Sequence, residues 1–250
     1  YLAEVDWHLP FIVYLLPIIS IFLSSYLREA SGTTKKISES NRTSAIVAGK
    51  QSDTGDFINR KRLVQLMAFY GLCTYLVIIV SFNLPFLMEE YHFSSGNSGI
   101  MISLFFLAIM TPGLFLNQII GWWKQRTEFY SLLCIAVGLG LIILSRSEWW
   151  IGSGCLFAGF GYGVIQPVVY DKTTRTASSR KVTLALAFVM AMNYLAILLC
   201  PFIINAIASV SHIHTQQFAF IFNCVVALAA SVWAYVKRKS FLFNDGLSIE

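Results

Sequence analysis

Between residues 149 and 174 the side chains Tyr162, Gln166, Tyr170 and Thr173 recur at intervals of four, four and three. On an α-helix that spacing stacks them along one face. Polar side chains in such a column, deep in an apolar stretch, are candidates to face a bound solute. Two further groups lie inside other apolar stretches: Thr74, Tyr75, Ser81 and Asn83, and Asn193, Tyr194 and Asn205. From these sets Tyr75, Asn83, Tyr162, Gln166, Asn193 and Tyr194 are the candidates for contact with a bound solute. The competing reading for Gln166 and Asn193 is that they only tie neighbouring helices together, an interaction typically worth about 0.6 kcal/mol within a membrane.

Other chemistry finds little support. There is no Ser/His pair at depth and no HExxH motif, so the chain is not expected to be an enzyme. The cysteines Cys73, Cys134, Cys155, Cys200 and Cys224 include no CxxC and suit small buried apolar positions. His212 and His214 have no third ligand nearby, and neither a metal nor a cofactor is expected. The glycines of the run Gly159-x-Gly161-x-Gly163 follow no strand, which excludes a dinucleotide loop.

The elements that must position these groups are membrane helices. Hydrophobic residues make up 56% of the 250, only 12% are charged, and mean hydropathy is +0.66. A soluble fold of this length cannot bury so much apolar surface, so the surplus must face lipid. A helix rises about 1.5 Å per residue across about 30 Å of hydrocarbon, so stretches of roughly 20 apolar residues mark the spans. Seven are expected: Trp7–Leu27, Leu63–Met88, Gly99–Ile120, Phe129–Leu144, Trp149–Tyr170, Val182–Ala208 and Phe218–Val236. Every lysine and arginine except Arg146 falls on one side of these spans. The positive-inside rule then puts the start of the chain outside and its C-terminus in the cytoplasm. The net charge of +5 reflects this membrane asymmetry and is no sign of a nucleic-acid partner. At mid-membrane there is no carboxylate, so a proton relay through these spans is not expected.

Residues 28–61 form the one long connection, rich in Ser, Thr, Gly and Lys. A lone span, a basic cytoplasmic linker and then six closely spaced spans suggest a chain that begins partway through a larger one. Tyr1 in place of a methionine agrees. All six prolines lie in or beside spans, as in the interrupted helices of transporters. Gly159 and Gly163 stand four apart, as do Gly154 and Ala158, so another helix can approach closely. Gly159, Gly163, Ala187 and Ala191 are the expected small-residue contacts of the six-span bundle.

Three stretches carry a resemblance. GFGYGVIQPVVYDKTTRTASSRK is similar to helix ten and the following loop of the major facilitator superfamily. WHLPFIVYLLPIISIFLSSYLRE resembles its helix six, and EEYHFSSGNSGIMISLF the join of helices seven and eight. The likeness covers the whole chain in order and is greatest to the bacterial drug- and sugar-efflux branch. It implies an all-α membrane protein of about seven transmembrane helices: the family's C-terminal half plus the last helix of its N-terminal half. The implied domains are 1–27, the last helix of the N-terminal bundle; 28–61, the linker; 62–236, a six-helix bundle; and 237–250, a cytoplasmic tail. The implied function is secondary active transport of a small organic solute in the inner membrane, with the absent N-terminal half as partner. Helices seven, ten and eleven would line the cavity, and these are the spans that hold the six candidates. The loop GWWKQRTE departs from the family's latch motif, so Lys124 and Arg126 are expected to be plain anchors. The alternative is a seven-helix receptor or photoreceptor-like protein, against which stand the long first cytoplasmic loop and a seventh span without lysine.

Overall fold

The structure is a computed structural model and describes residues 58–123, 126–144, 147–178, 180–211 and 215–237. The expected span Trp7–Leu27, residues 28–57 of the linker, the His212/His214 pair and the tail beyond Lys237 lie outside the described residues. Among the described residues the chain is all helix, in six elements each long and apolar enough to cross a membrane. They are α1 (Arg60–Glu90), α2 (Ser95–Trp123), α3 (Thr127–Leu144), α4 (Glu148–Thr174), α5 (Val182–Ser211) and α6 (Gln216–Val236). The protein is a multi-pass helical membrane bundle.

Local sequence explains the ends and breaks. Asn59 caps α1 by accepting the backbone N–H of Arg62 at 3.2 Å. Just before it, Ile58 pairs with Ala177 in an antiparallel bridge, and the Asn59 N–H donates to the Thr176 carbonyl. The start of α1 is thereby fixed to the turn that follows α4. Pro112 removes an N–H from α2 and crowds the carbonyl four residues back. The helix leaves helical geometry at Phe115 (φ −121°, ψ 18°), and its spanning part is Ser95–Leu116.

The glycines of α4 decide how closely the bundle packs. A Cβ on Gly159 would lie 2.4 Å from the Phe105 carbonyl oxygen of α2, and one on Gly163 2.3 Å from that of Ile109. On another face, a Cβ on Gly154 would meet the Gly138 oxygen of α3 at 2.6 Å, and one on Gly161 the Ser131 oxygen at 2.5 Å. The close approach expected for Gly159 and Gly163 is present, and a second glycine pair serves a second neighbour. Ala187 and Ala191 do not make the contacts expected of them. Both lie exposed on α5, which buries Ala185 and Val189 instead.

α4 packs against α2 and α3, α6 against α3, and α5 against α1, while α1 also touches α4, α6 and α2. The central position of α1 shows in its burial, 67% of its spanning window against 17% for α5 and 22% for α2. The core runs through Leu66, Leu76, Ile79, Leu84, Ile135, Leu139 and Phe220.

α4 extends past its expected end at Tyr170, and α3 starts before its expected beginning at Phe129. Lys172 is therefore not a loop residue: it is buried on the last turn of α4, paired with Glu128 on the first turn of α3. At this end of α4 the buried hydroxyls are satisfied locally, Thr173 Oγ1 donating to the Val169 carbonyl and Thr176 Oγ1 to that of Lys172, each at 2.7 Å.

Candidate functional site

Three helices bring polar side chains together inside the bundle. α1 contributes Tyr70 and Thr74, one turn apart, α4 contributes Tyr162, Gln166 and Tyr170, and α5 contributes Asn193. Each set obeys the helical spacing of four, so each helix turns one polar stripe toward the others. The Tyr70 and Tyr162 rings are nearly parallel, 6.1 Å apart with an interplanar angle of 7°, and Tyr170 meets Tyr70 edge-on at 5.7 Å. Such ring pairs contribute beyond their buried area.

Asn193 Oδ1 is the focus of the hydrogen bonds. Thr74 Oγ1 donates to it at 2.6 Å and the Tyr162 hydroxyl at 3.1 Å. Tyr162 also lies 3.0 Å from the Thr74 hydroxyl and 3.2 Å from that of Tyr70, which lies 3.2 Å from Tyr170. Gln166 Nε2 approaches the Tyr170 hydroxyl at 3.5 Å, the edge of useful geometry. A hydroxyl has one proton to give. Tyr162 can donate to the Asn193 carbonyl or to Tyr70, and Gln166 Nε2 donates to Tyr170.

Two amide atoms are left over. Asn193 Nδ2 and Gln166 Oε1 make no hydrogen bond among the described residues, and both side chains are only half-buried. One is a donor and the other an acceptor. A solute hydroxyl, which both accepts and donates, complements such a pair.

The six sequence candidates divide. Tyr162, Gln166 and Asn193 converge in this cluster. Tyr75 lies on a different face of α1, its hydroxyl directed at Asn223 of α6 without a hydrogen bond. Asn83 lies near the Glu90 end of α1 in a groove with α5 and α6. Tyr194 is 69% exposed and points away from its neighbour Asn193. Tyr70 and Thr74 belong to the cluster and were absent from the candidates, although their spacing of four on an apolar helix is the same signal that marks Tyr162 and Gln166. The Glu128–Lys172 pair was missed because both residues read as loop.

The described residues contain no group of three His, Cys, Asp or Glu side chains able to hold a metal. No curated protein sequence matches the chain. The family model described as Major Facilitator Superfamily matches residues 1–181, which run from the first expected span through α4.

Proposed function

From the chain's membership of the Major Facilitator Superfamily, a family of membrane transporters for small solutes, we propose a secondary active transporter that works by alternating access. In this reading residues 1–27 are the last helix of an N-terminal bundle, 28–61 the linker, 62–236 the C-terminal bundle and 237–250 a tail. The partner is an N-terminal half of five further helices. Solute binds where the two halves face each other, in contact with Asn193, Tyr162 and Gln166, while Tyr70, Thr74 and Tyr170 position them. The Glu90 end of the bundle faces outward and the basic end the cytoplasm, in an inner membrane. Efflux of a drug-like or sugar-like compound by antiport is the form of the activity we favour.

The observation that carries this reading is the half-buried cluster with its unspent amide donor and acceptor. Polar groups at membrane depth face a bundle interior or a cavity. A cluster that served only to join helices would have no reason to leave Asn193 Nδ2 and Gln166 Oε1 idle. The hydrogen-bonding set is uncharged, which suits neutral or weakly polar solutes over strong anions.

The test uses the full transporter expressed in cells, loaded with fluorescent dyes or with radiolabelled sugars. Asn193→Ala and Gln166→Ala are expected to lower saturable flux while surface expression stays near that of the parent. A fall in flux that only tracks a fall in folded protein would show that both amides are structural.

A further inference from the structure

A second polar site lies away from this cluster. Near the Glu90 end of the bundle, α1, α5 and α6 enclose a groove of about 490 Å³. That volume is within the roughly 300–1,000 Å³ of small-molecule sites. Phe82 and Phe86 of α1 and Phe218 of α6 line it together with the polar side chains of Asn83, Asn205, Thr215 and Gln216. Asn83 is seven residues from the end of α1 and Asn205 six from the end of α5, so both lie about 10 Å inside the helix ends.

Neither amide makes a hydrogen bond among the described residues. Asn83 is half-buried and Asn205 exposed, so both amides are open to a partner supplied by an occupant of the groove. Asn223 of α6, fully buried, donates from Nδ2 to the Ala219 carbonyl at 2.8 Å, yet its Oδ1 has no partner, nor does the Tyr75 hydroxyl beside it. Ala219 itself lines the groove, so the buried pair sits one turn below it.

The chemistry of the walls narrows the occupant. None of the lining residues is charged. At the rim Glu90 accepts the backbone N–H of Gln216 at 3.1 Å, and Tyr91 accepts from the Gln217 side chain. These bonds join α1 to α6 and place a carboxylate at this end of the groove. Among the described residues α5 and α6 barely touch, which leaves the groove open between them.

We propose that this groove binds an amphiphile with an uncharged, hydroxyl-bearing head. The amphiphile comes from the leaflet at the Glu90 end. Its head hydrogen-bonds Asn83 and Asn205, and the first methylenes of its chain lie against Phe82, Phe86 and Phe218. The site does not depend on the transport reading, because it shares no residue with the tyrosine cluster.

Photolabelling of the full protein in lipid nanodiscs tests this. The probe is an octyl glucoside bearing a diazirine early in its chain, with labelled peptides mapped by mass spectrometry. Label is expected on residues 82–86 and at Phe218, removed by excess octyl glucoside and not by glucose. Asn83→Leu with Asn205→Leu is expected to weaken labelling about tenfold or more, the loss of two neutral hydrogen bonds. Ala208→Trp fills the groove while leaving both amides in the sequence and is expected to abolish it, which keeps the test decisive if the double variant misfolds. Equal labelling by a headless diazirine alkane, or labelling unchanged in Ala208→Trp or in a folded double variant, overturns the proposal. Protection by glucose as strong as by octyl glucoside overturns it in favour of a free solute.

Discussion

Replacing Asn193 by alanine separates a solute-binding amide from a helix-joining one, and the geometry fixes both magnitudes. The side chain accepts from Thr74 at 2.6 Å and from Tyr162 at 3.1 Å, so its loss removes two interhelical hydrogen bonds. Within a membrane each is typically worth about 0.6 kcal/mol. The donors are not stranded, however. Thr74 and Tyr162 already lie 3.0 Å apart, and Tyr162 lies 3.2 Å from Tyr70. After the substitution Thr74 donates to Tyr162, Tyr162 donates to Tyr70, and Tyr70 donates to Tyr170. The structural loss should therefore stay below about 1 kcal/mol, because no buried hydroxyl is left without a partner. If Asn193 also holds solute, one or two further hydrogen bonds of about 1 kcal/mol each disappear on binding. That corresponds to a fall of about five- to thirtyfold in the specificity of transport. Thermal unfolding of the purified protein reads the first quantity, and saturable flux in proteoliposomes reads the second. A large loss of stability, or unchanged flux in a protein with unchanged stability, refutes the assignment.

Gly163→Ala should destabilise the bundle by about 1–3 kcal/mol in thermal unfolding, since the new Cβ falls 2.3 Å from the Ile109 carbonyl oxygen. Gly121→Ala in the same assay should be tolerated, because nothing lies within 4 Å of its Cβ. Glu128→Gln should lower the yield of folded protein on size-exclusion chromatography by removing the carboxylate paired with the buried Lys172, and adding Lys172→Met should recover most of it. Single cysteines at Ser95 and Ser147 should react with an impermeant thiol reagent on intact cells, and one at Thr174 only after permeabilisation; labelling of Thr174 from outside would reverse the orientation.

Much of this architecture was legible from one-dimensional pattern. Apolar stretches locate α1 to α6 because hydrocarbon thickness sets their length, and that constraint needs no tertiary knowledge. The α4 glycines announce close helix contact for the same reason: a missing side chain is visible in sequence. Direction is what the pattern lacks. Tyr75 and Tyr194 are as polar and as deep as Tyr162, but rotation about the helix axis decides whether a side chain meets α4, α6 or lipid. That rotation is set by packing against neighbours. Thr74 and Tyr75 are adjacent in sequence and face different helices, about 100° apart around α1. The Glu128–Lys172 pair was hidden for another reason. A charge at the end of an apolar run reads as the start of a loop unless its partner, here 44 residues away, is known.

The pairing of α1 with α5 joins the two polar sites. Thr74 and Asn193 bind each other across this pair at mid-bundle, and Asn83 and Asn205 face the same groove from it nearer the Glu90 end. The contact between them includes Gly71, where a Cβ would lie 3.0 Å from the Met192 side chain, a long and flexible neighbour in place of rigid backbone. Against α2 and α3, by contrast, the α4 glycines meet carbonyl oxygens that cannot yield without moving a helix. Displacement is therefore easier between α1 and α5 than within the α2–α3–α4 set. Thr74–Asn193 and Asn83–Asn205 lie on the same helix pair, with Pro201 between Asn193 and Asn205 on α5.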